Sequence, residues 1–232
     1  MPLLTEDQRA QIRDHLAQHV VDPVHVTHFT QAASPLVVPG RHECQYCKET
    51  RELLEEFSEL SDGKIRLTVY DLVKDREAAE RYGVDSVPAT IFSSQHSRGV
   101  LRYFGVPSGY EFAAVLEDLV DLSRAESALS ADTLAKLEGL EQDVRILVFV
   151  TPTCPYCPQA ARLAHEMAKA SERVTADVIE AIEFPHLAQK YRVMGVPKTV
   201  INDRVEVVGA VPESQLITKV LEAVEGPGEA SG

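Results

Sequence analysis

The sequence has no tryptophan, a single asparagine and only four cysteines among its 232 residues. It is also short of positive charge, because 23 lysine and arginine residues stand against 36 aspartate and glutamate residues. The resulting formal net charge of -13 argues against a general nucleic-acid binder and against a protein that binds anionic membranes. We therefore expect neither nucleic acid nor a membrane among the partners of this chain.

Long apolar runs are absent as well. No stretch is long enough to span a bilayer, and the first residues become charged without forming the apolar centre of a secretory signal. We therefore expect a cytoplasmic protein. In that compartment, paired cysteines are more often catalytic or metal-binding than structural. The length suits one large domain or two small ones, and 44% hydrophobic residues are ordinary for a globular chain.

All four cysteines lie in two C-x-x-C motifs, Cys44-Gln-Tyr-Cys47 and Cys154-Pro-Tyr-Cys157. The second motif follows an apolar segment, 144–150, that predicts a buried strand, and it precedes a segment of helix length, 159–169. A C-x-x-C between a strand and a helix is typical of a dithiol redox site. Free backbone N–H groups and the positive end of the helix dipole favour the thiolate form of the first cysteine there. Pro155 is predicted at the first helical position, where a missing N–H costs nothing.

The two halves of the chain resemble each other. Residues 82–91 read Tyr-Gly-Val-Asp-Ser-Val-Pro-Ala-Thr-Ile, and residues 191–200 read Tyr-Arg-Val-Met-Gly-Val-Pro-Lys-Thr-Val. The cysteine motifs are offset by 110 positions, and Pro88 and Pro197 are offset by 109. Two tandem copies of one α/β unit explain this pattern most simply.

We expect the first unit to cover residues 1–124 and the second to cover 125–232, with a flexible tail at 225–232. The repeat is interrupted in one place. If the first strands correspond, their offset is 120, so the first unit carries ten extra residues within Gln31–Glu43, between its strand and its cysteines. His28 then takes the place of Val148 in the middle of that strand.

Several of these features resemble the thioredoxin superfamily. C-P-Y-C is the glutaredoxin motif, and a Val-Pro preceding a strand, 41 and 40 residues after the cysteine pairs, resembles the superfamily's cis-proline motif. Two such units in tandem resemble the protein disulfide oxidoreductases of thermophilic archaea and bacteria, whose pattern residues 102–114 and 143–158 also match. The resemblance implies an α/β fold of two thioredoxin-like units, each a central mixed β-sheet flanked by helices.

The resemblance also implies the site residues. The family's four catalytic cysteines and two cis-prolines correspond here to Cys44, Cys47, Cys154, Cys157, Pro88 and Pro197. Each pair is expected to form its own disulfide, with the first cysteine attacking the substrate and the second resolving the mixed disulfide. The prolines would bind an extended substrate segment. Tyr46 and Tyr156 either pack internally or shape the substrate groove.

The expected substrates are protein disulfides. No G-x-G-x-x-G follows a predicted strand, so we expect no bound NAD(P)H, FAD or other cofactor. Reducing equivalents would come from a separate NADPH-dependent flavoprotein similar to thioredoxin reductase. We expect the second site to account for most of the exchange activity, because Cys154 follows a regular strand and a short turn, whereas Cys44 follows a long loop.

Thioredoxin itself carries a buried aspartate six residues before its first cysteine, as a proton acceptor. The positions six residues before Cys44 and Cys154 are Val38 and Val148, which cannot accept a proton. Asp71 and Glu180, on the following predicted strands, are the candidates for this role.

Three alternatives remain beside this interpretation. Two C-x-x-C pairs also occur in structural zinc sites, but here each pair repeats inside its own unit, so no metal is expected. An electron-relay module resembling the N-terminal part of the alkyl hydroperoxide reductase flavoprotein is also a tandem pair, although its first unit lacks cysteines. A redox-inactive binding module is the lesser alternative, against which both intact motifs argue.

Overall fold

The computed structural model describes residues 3–32 and 44–225. The strands are β1 (Val24–Thr30), β2 (Ile65–Asp71), β3 (Ala89–Ser94), β4 (Val100–Phe104), β5 (Val144–Val150), β6 (Val174–Glu180), β7 (Lys198–Ile201) and β8 (Val205–Val208). The helices are α1 (Glu6–His19), α2 (Cys47–Leu60), α3 (Arg76–Tyr82), α4 (Tyr110–Leu122), α5 (Ala131–Glu138), α6 (Cys157–Ala170), α7 (Pro185–Lys190) and α8 (Glu213–Val224).

The same arrangement of strands occurs in both halves. In the first half, β1 pairs with β2 in parallel and with β3 antiparallel, and β4 pairs antiparallel with β3. In the second half, β5 pairs with β6 in parallel and with β7 antiparallel, and β8 pairs antiparallel with β7. The predicted α/β fold of two tandem thioredoxin-like units, each with a mixed sheet flanked by helices, is confirmed.

The two half-sheets join into one. Strand β4 pairs with β6 in parallel, which gives an eight-stranded sheet of order β2-β1-β3-β4-β6-β5-β7-β8. Following the pairings from β1 through β3, β4 and β6 shows that β5 runs parallel to β1. Their carboxyl ends, which lead to the two cysteine motifs, therefore lie at the same edge of the sheet. Four steps between neighbouring strands separate β1 from β5 by roughly 19 Å.

The alternation of side chains decides which face of the sheet carries the cysteine helices. Val24 and Val26 of β1 lie in one core cluster with Leu53 of α2, whereas Phe29 lies in a second cluster on the opposite face. Val148 of β5 belongs to the first cluster too, together with Cys154, Cys157 and residues of α6. Helices α2 and α6 therefore cover the same face of the sheet.

A buried ion pair spans the junction between the half-sheets. Arg102 of β4 donates from Nε to Asp177 Oδ1 of β6 at 2.6 Å and from Nη2 to Oδ2 at 3.0 Å. Its Nη1 donates to the carbonyl oxygens of Tyr82 and Gly83. Asp177 is fully buried and also accepts from Arg145, whose side chain is half exposed. These contacts tie the two units together beside their shared strands.

The predicted unit boundary at 124/125 falls just after α4 and stays a prediction. Most of the predicted extra loop, residues 33–43, and nearly all of the predicted tail lie outside the described residues. No helix within 3–32 and 44–225 is long and apolar enough to cross a membrane.

Candidate active site

The second cysteine motif lies between the end of β5 and the start of α6. Cys154 and Cys157 are joined by a disulfide bond. The backbone N–H of Cys154 donates to the Thr151 carbonyl at 3.2 Å, and that of Cys157 donates to the Cys154 carbonyl at 3.4 Å. Cys154 is 8% exposed and Cys157 is fully buried, so Cys154 is the cysteine that a partner can approach.

The prediction that Pro155 occupies the first helical position is wrong. Helix α6 begins at Cys157, and Pro155 and Tyr156 lie in the turn before it. The Cys154–Cys157 disulfide spans this turn. Pro158 lies in the first helical turn instead, where its missing N–H leaves no helical hydrogen bond unmade.

The cis-proline segment lies against this motif. The peptide bonds Val87–Pro88 and Val196–Pro197 are both cis, as predicted. The sulfur of Cys154 lies 3.7 Å from the carbonyl oxygen of Val196. Phe149 pairs with Lys198 in the sheet, so Pro197 lies beside the end of β5, where the strand leads to the cysteines.

The first site repeats this geometry. Cys44 and Cys47 are joined by a disulfide bond, so each motif is closed by its own disulfide, as predicted. Helix α2 also begins at the second cysteine, and Thr50 donates from its N–H and its hydroxyl to the Tyr46 carbonyl. Cys47 is buried and Cys44 is partly exposed. Phe29 pairs with Ala89, which places Pro88 beside the end of β1.

The two tyrosines between the cysteines differ in environment. Tyr156 is 67% exposed, which excludes a role in core packing. Tyr46 is half-buried, and its hydroxyl accepts a hydrogen bond from Gln45. Ile182 and Met194 are also strongly exposed, at 70% and 96%. The sequence analysis did not identify these two residues as exposed apolar surface. The signal that could have found them is an apolar side chain in a segment predicted to be a turn.

Asp71 and Glu180, the two candidate proton acceptors, lie in different environments. Asp71 is half-buried; burial alone would raise its pKa, but hydrogen bonds from the backbone of Ala32, Lys74 and Val73 lower it below the ordinary value. Glu180 is buried, and burial raises its pKa. Its Oε2 accepts from the Glu183 N–H at 2.6 Å, whereas its Oε1 has no hydrogen-bond partner among the described residues. Glu180 is therefore the better placed of the two to hold a proton.

Glu180 belongs to a buried carboxyl cluster that sequence reasoning missed. Burial raises the pKa of Glu183 to about 7 and that of Glu111 to about 8. Glu183 accepts from the Val106 N–H at 2.7 Å, so the cluster joins the second unit to the loop before α4. Within the described residues, neither carboxyl oxygen of Glu111 has a partner. No sequence signal marked Glu111, because an acid in the first turn of an amphipathic helix is normally solvated.

Glu111→Gln tests this burial through the pH dependence of stability. The folded protein keeps Glu111 protonated up to about pH 8, whereas the unfolded chain loses the proton near its ordinary pKa of 4.5. The contribution of the Glu111 carboxyl to the wild-type free energy of unfolding is therefore fully present below pH 4.5. It is lost as the pH rises towards 8. We expect the variant to exceed the wild-type free energy of unfolding at pH 8 by on the order of 2 kcal/mol, with little difference at pH 5.

Denaturant unfolding at both pH values provides the measurement, with Glu138→Gln on the exposed side of α5 as the control. Equal effects of Glu111→Gln at pH 5 and pH 8 would show that the Glu111 carboxyl is not held protonated.

Sequence comparison adds relatives for each half. A family model described as a thioredoxin domain matches residues 144–222, and one described as a domain of unknown function matches residues 14–106. Thioredoxin of Methanocaldococcus jannaschii is 37% identical over 78 residues, which cover 33% of this chain and 92% of that protein. The alkyl hydroperoxide reductase component AhpF of Xanthomonas campestris is 24% identical over 173 residues, and the chain spans only 31% of its length.

Structural comparison covers nearly the whole chain. A protein disulfide oxidoreductase from Aeropyrum pernix superimposes with a TM-score of 0.82 and 32% identity, covering 93% of this chain and 91% of that one. AhpF from Enterococcus faecalis superimposes with a TM-score of 0.79 at 21% identity, covering 94% of this chain and 99% of that one, which shows a shared fold. Fold and site together define a dithiol protein of the thioredoxin fold. The chain belongs to the tandem protein disulfide oxidoreductases, the thiol–disulfide oxidoreductase family that its sequence indicated.

Proposed function

We propose that this chain reduces, forms or isomerises disulfides in protein substrates, through one dithiol site in each of the units 1–124 and 125–232. The observation that carries the proposal is the geometry of the second site. Cys154, which is 8% exposed, is bonded to the fully buried Cys157 at a helix start, and its sulfur lies 3.7 Å from the Val196 carbonyl of the cis-proline segment. Only the first cysteine of the pair therefore has accessible surface, which suits two-step exchange.

In the reducing direction, the thiolate of Cys154 attacks one sulfur of the substrate disulfide. A bond forms between the two sulfurs, and the other substrate sulfur leaves with the electron pair as a thiolate. Cys157 then loses its proton and attacks Cys154, which closes the protein disulfide and releases the second substrate thiolate. Cys44 and Cys47 take the same roles in the first site. The greater exposure of the first cysteine in each motif supports this order.

The substrate groove of the second site is proposed to consist of Pro197 and Tyr156. An extended peptide beside Pro197 would pair with the backbone of Val196, as an added strand does. The exposed Tyr156, Ile182 and Met194 offer apolar surface for side chains flanking the substrate cysteine. Pro88 and Tyr46 would form the matching groove of the first site.

Insulin reduction in the presence of dithiothreitol tests this function. We expect the wild-type chain to accelerate reduction clearly above dithiothreitol alone, because each thiolate at a helix start exchanges faster than a free thiol. The chain with all four cysteines replaced by serine serves as the control and should give the uncatalysed rate. Wild-type protein that binds insulin without accelerating its reduction would instead be a binding module. Stoichiometric zinc in the reduced protein would identify a metal site.

A separate NADPH-dependent flavoprotein is the proposed electron donor. The likeness to AhpF over 75% of this chain supports such a partner, and it also favours a second candidate function as an electron relay to a peroxidase. Mixing the reduced chain with a peroxidase of that system separates the two. A relay would reduce the peroxidase disulfide much faster than insulin, whereas a general oxidoreductase would not favour it.

A further inference from the structure

The first unit reaches the second cysteine site through the segment that joins β4 to α4. The Val106 N–H in this segment donates to Glu183, in the turn after β6, at 2.7 Å. The Tyr110 N–H, at the start of α4, donates to the Pro152 carbonyl at 3.0 Å. Because Pro152 lies two residues before Cys154, the first unit contacts the turn that leads to the reactive cysteine.

A glycine makes this contact between the units possible. Gly109 has a φ of +59°, and a Cβ atom on it would overlap the Pro152 carbonyl oxygen. Glycine alone combines that backbone conformation with so close an approach. The start of α4 is therefore seated directly on the turn before Cys154.

Helices α4 and α6 run side by side in the same direction. Asp118 Oδ2 lies 2.6 Å from His165 Nδ1, and further along both helices the Asp121 carbonyl accepts from Lys169 Nζ at 2.8 Å. The Asp121 carboxylate also accepts from Arg162 at 2.6 Å. The strand directions agree, since β4 and β5 both pair in parallel with β6 and each leads into its helix.

This register places the Tyr110 side chain beside the second site. Asp118 and His165 each lie eight residues after the first residue of their helices, which are Tyr110 and Cys157. The two helices therefore begin at the same level, with their axes roughly 8–10 Å apart. Eleven residues make about three helical turns, so Tyr110 lies on the same side of α4 as Asp121, the side that faces α6.

Two exposed tyrosines, one from each unit, thus lie around Cys154. Tyr110 is 54% exposed, and Tyr156 is 67% exposed. Exposed aromatic side chains are enriched on surfaces that bind polypeptides, because their rings bury a large apolar area while losing few rotamers.

We propose that Tyr110 of the first unit is a specificity-determining residue of the second site, where its ring packs against a side chain that flanks the reacting cysteine of a protein substrate. The inference rests on the proposed exchange function and adds to the groove of Pro197 and Tyr156 a wall that belongs to the other unit. A disulfide within a polypeptide contacts this wall, whereas a small disulfide is too short to do so.

The test isolates the second site in the full chain by replacing Cys44 and Cys47 with serine. Insulin and a small aryl disulfide are the two substrates, with dithiothreitol as the reductant. We expect Tyr110→Ser to lower the ratio of kcat/KM for insulin to the rate constant for the aryl disulfide by about fivefold. The loss should lie in KM for insulin, because the ring binds the substrate and its transition state equally.

Two further variants separate this contact from a general effect on the fold. Tyr110→Phe keeps the ring and should keep the ratio of the parent. Val21→Ser removes an apolar side chain of similar exposure, 62%, just before β1 and so at the opposite edge of the sheet from the cysteines. It should also keep the ratio of the parent.

The same substitution in the first site alone completes the experiment. With Cys154 and Cys157 replaced by serine, Tyr110→Ser should leave the ratio at its parent value, because the Tyr110 side chain faces α6. An unchanged ratio in the second-site protein, or equal falls in both proteins, would overturn the inference. Failure of the exchange function has a different signature, since the second-site parent itself would then reduce insulin no faster than dithiothreitol alone.

Discussion

Replacing Cys154 with serine is expected to lower insulin reduction by about tenfold, whereas Cys44→Ser should leave more than half of the activity. The reason is that the two nucleophilic cysteines differ in how firmly the surrounding structure holds them. Cys154 follows a strand whose last five residues are all buried, and the Cys154 N–H donates to the Thr151 carbonyl in the turn between them. The first unit adds a further contact, since the Tyr110 N–H donates to the Pro152 carbonyl at 3.0 Å. A firmly placed sulfur spends more of its time in the attacking geometry.

The apolar surface around the second site favours the same ranking. At the position equivalent to Met194 in the repeat, the first unit carries the exposed Asp85, which offers no apolar contact to a substrate. The serine variant of all four cysteines gives the baseline for both single variants. Greater loss in Cys44→Ser than in Cys154→Ser would reverse the ranking and make the first site, with its longer preceding loop, the main catalytic site.

Arg102→Met is expected to lower the free energy of unfolding by about 3–5 kcal/mol, the usual cost of breaking a buried ion pair from one side. The substitution leaves Asp177 fully buried with only Arg145 as a charged partner, and it removes the donor to Tyr82 and Gly83. Because Arg102 and Asp177 lie on β4 and β6, the loss falls at the junction between the units. The melting temperature should drop by roughly 10 °C in a thermal unfolding scan.

Arg145→Met is the matched control for this prediction. It removes a partner of the same carboxylate, but its side chain is 52% exposed, so we expect a loss of about 1 kcal/mol or less. The double variant Arg102→Met, Asp177→Leu should be more stable than Arg102→Met alone, because it leaves no unpaired buried charge. Equal losses of unfolding free energy in Arg102→Met and Arg145→Met would contradict the view that Arg102 is the residue that stabilises the junction between the units.

The sequence by itself determined the features that local patterns encode. Two C-x-x-C motifs and two Val-Pro segments at matched offsets were enough to predict the repeat, and their resemblance to the thioredoxin superfamily implied the fold and the cis bonds. These signals are readable because strand periodicity and motif spacing depend on neighbours along the chain. The helix start was misplaced by two residues, because a proline suited to a first helical turn does not show that a disulfide-closing turn precedes the helix.

Only the tertiary structure decided how these parts are arranged in space. The pairing of β4 with β6 brings both cysteine motifs to one edge of a single sheet, and no local pattern specifies which strands meet across 70 residues or more. Burial likewise raises the pKa of Glu180, whereas that of Asp71 is lowered. The tertiary structure also places Glu111 in a cluster of carboxyl groups. The free energy of a charged side chain depends on the groups packed around it from distant segments, and the sequence around each glutamate carries no record of them.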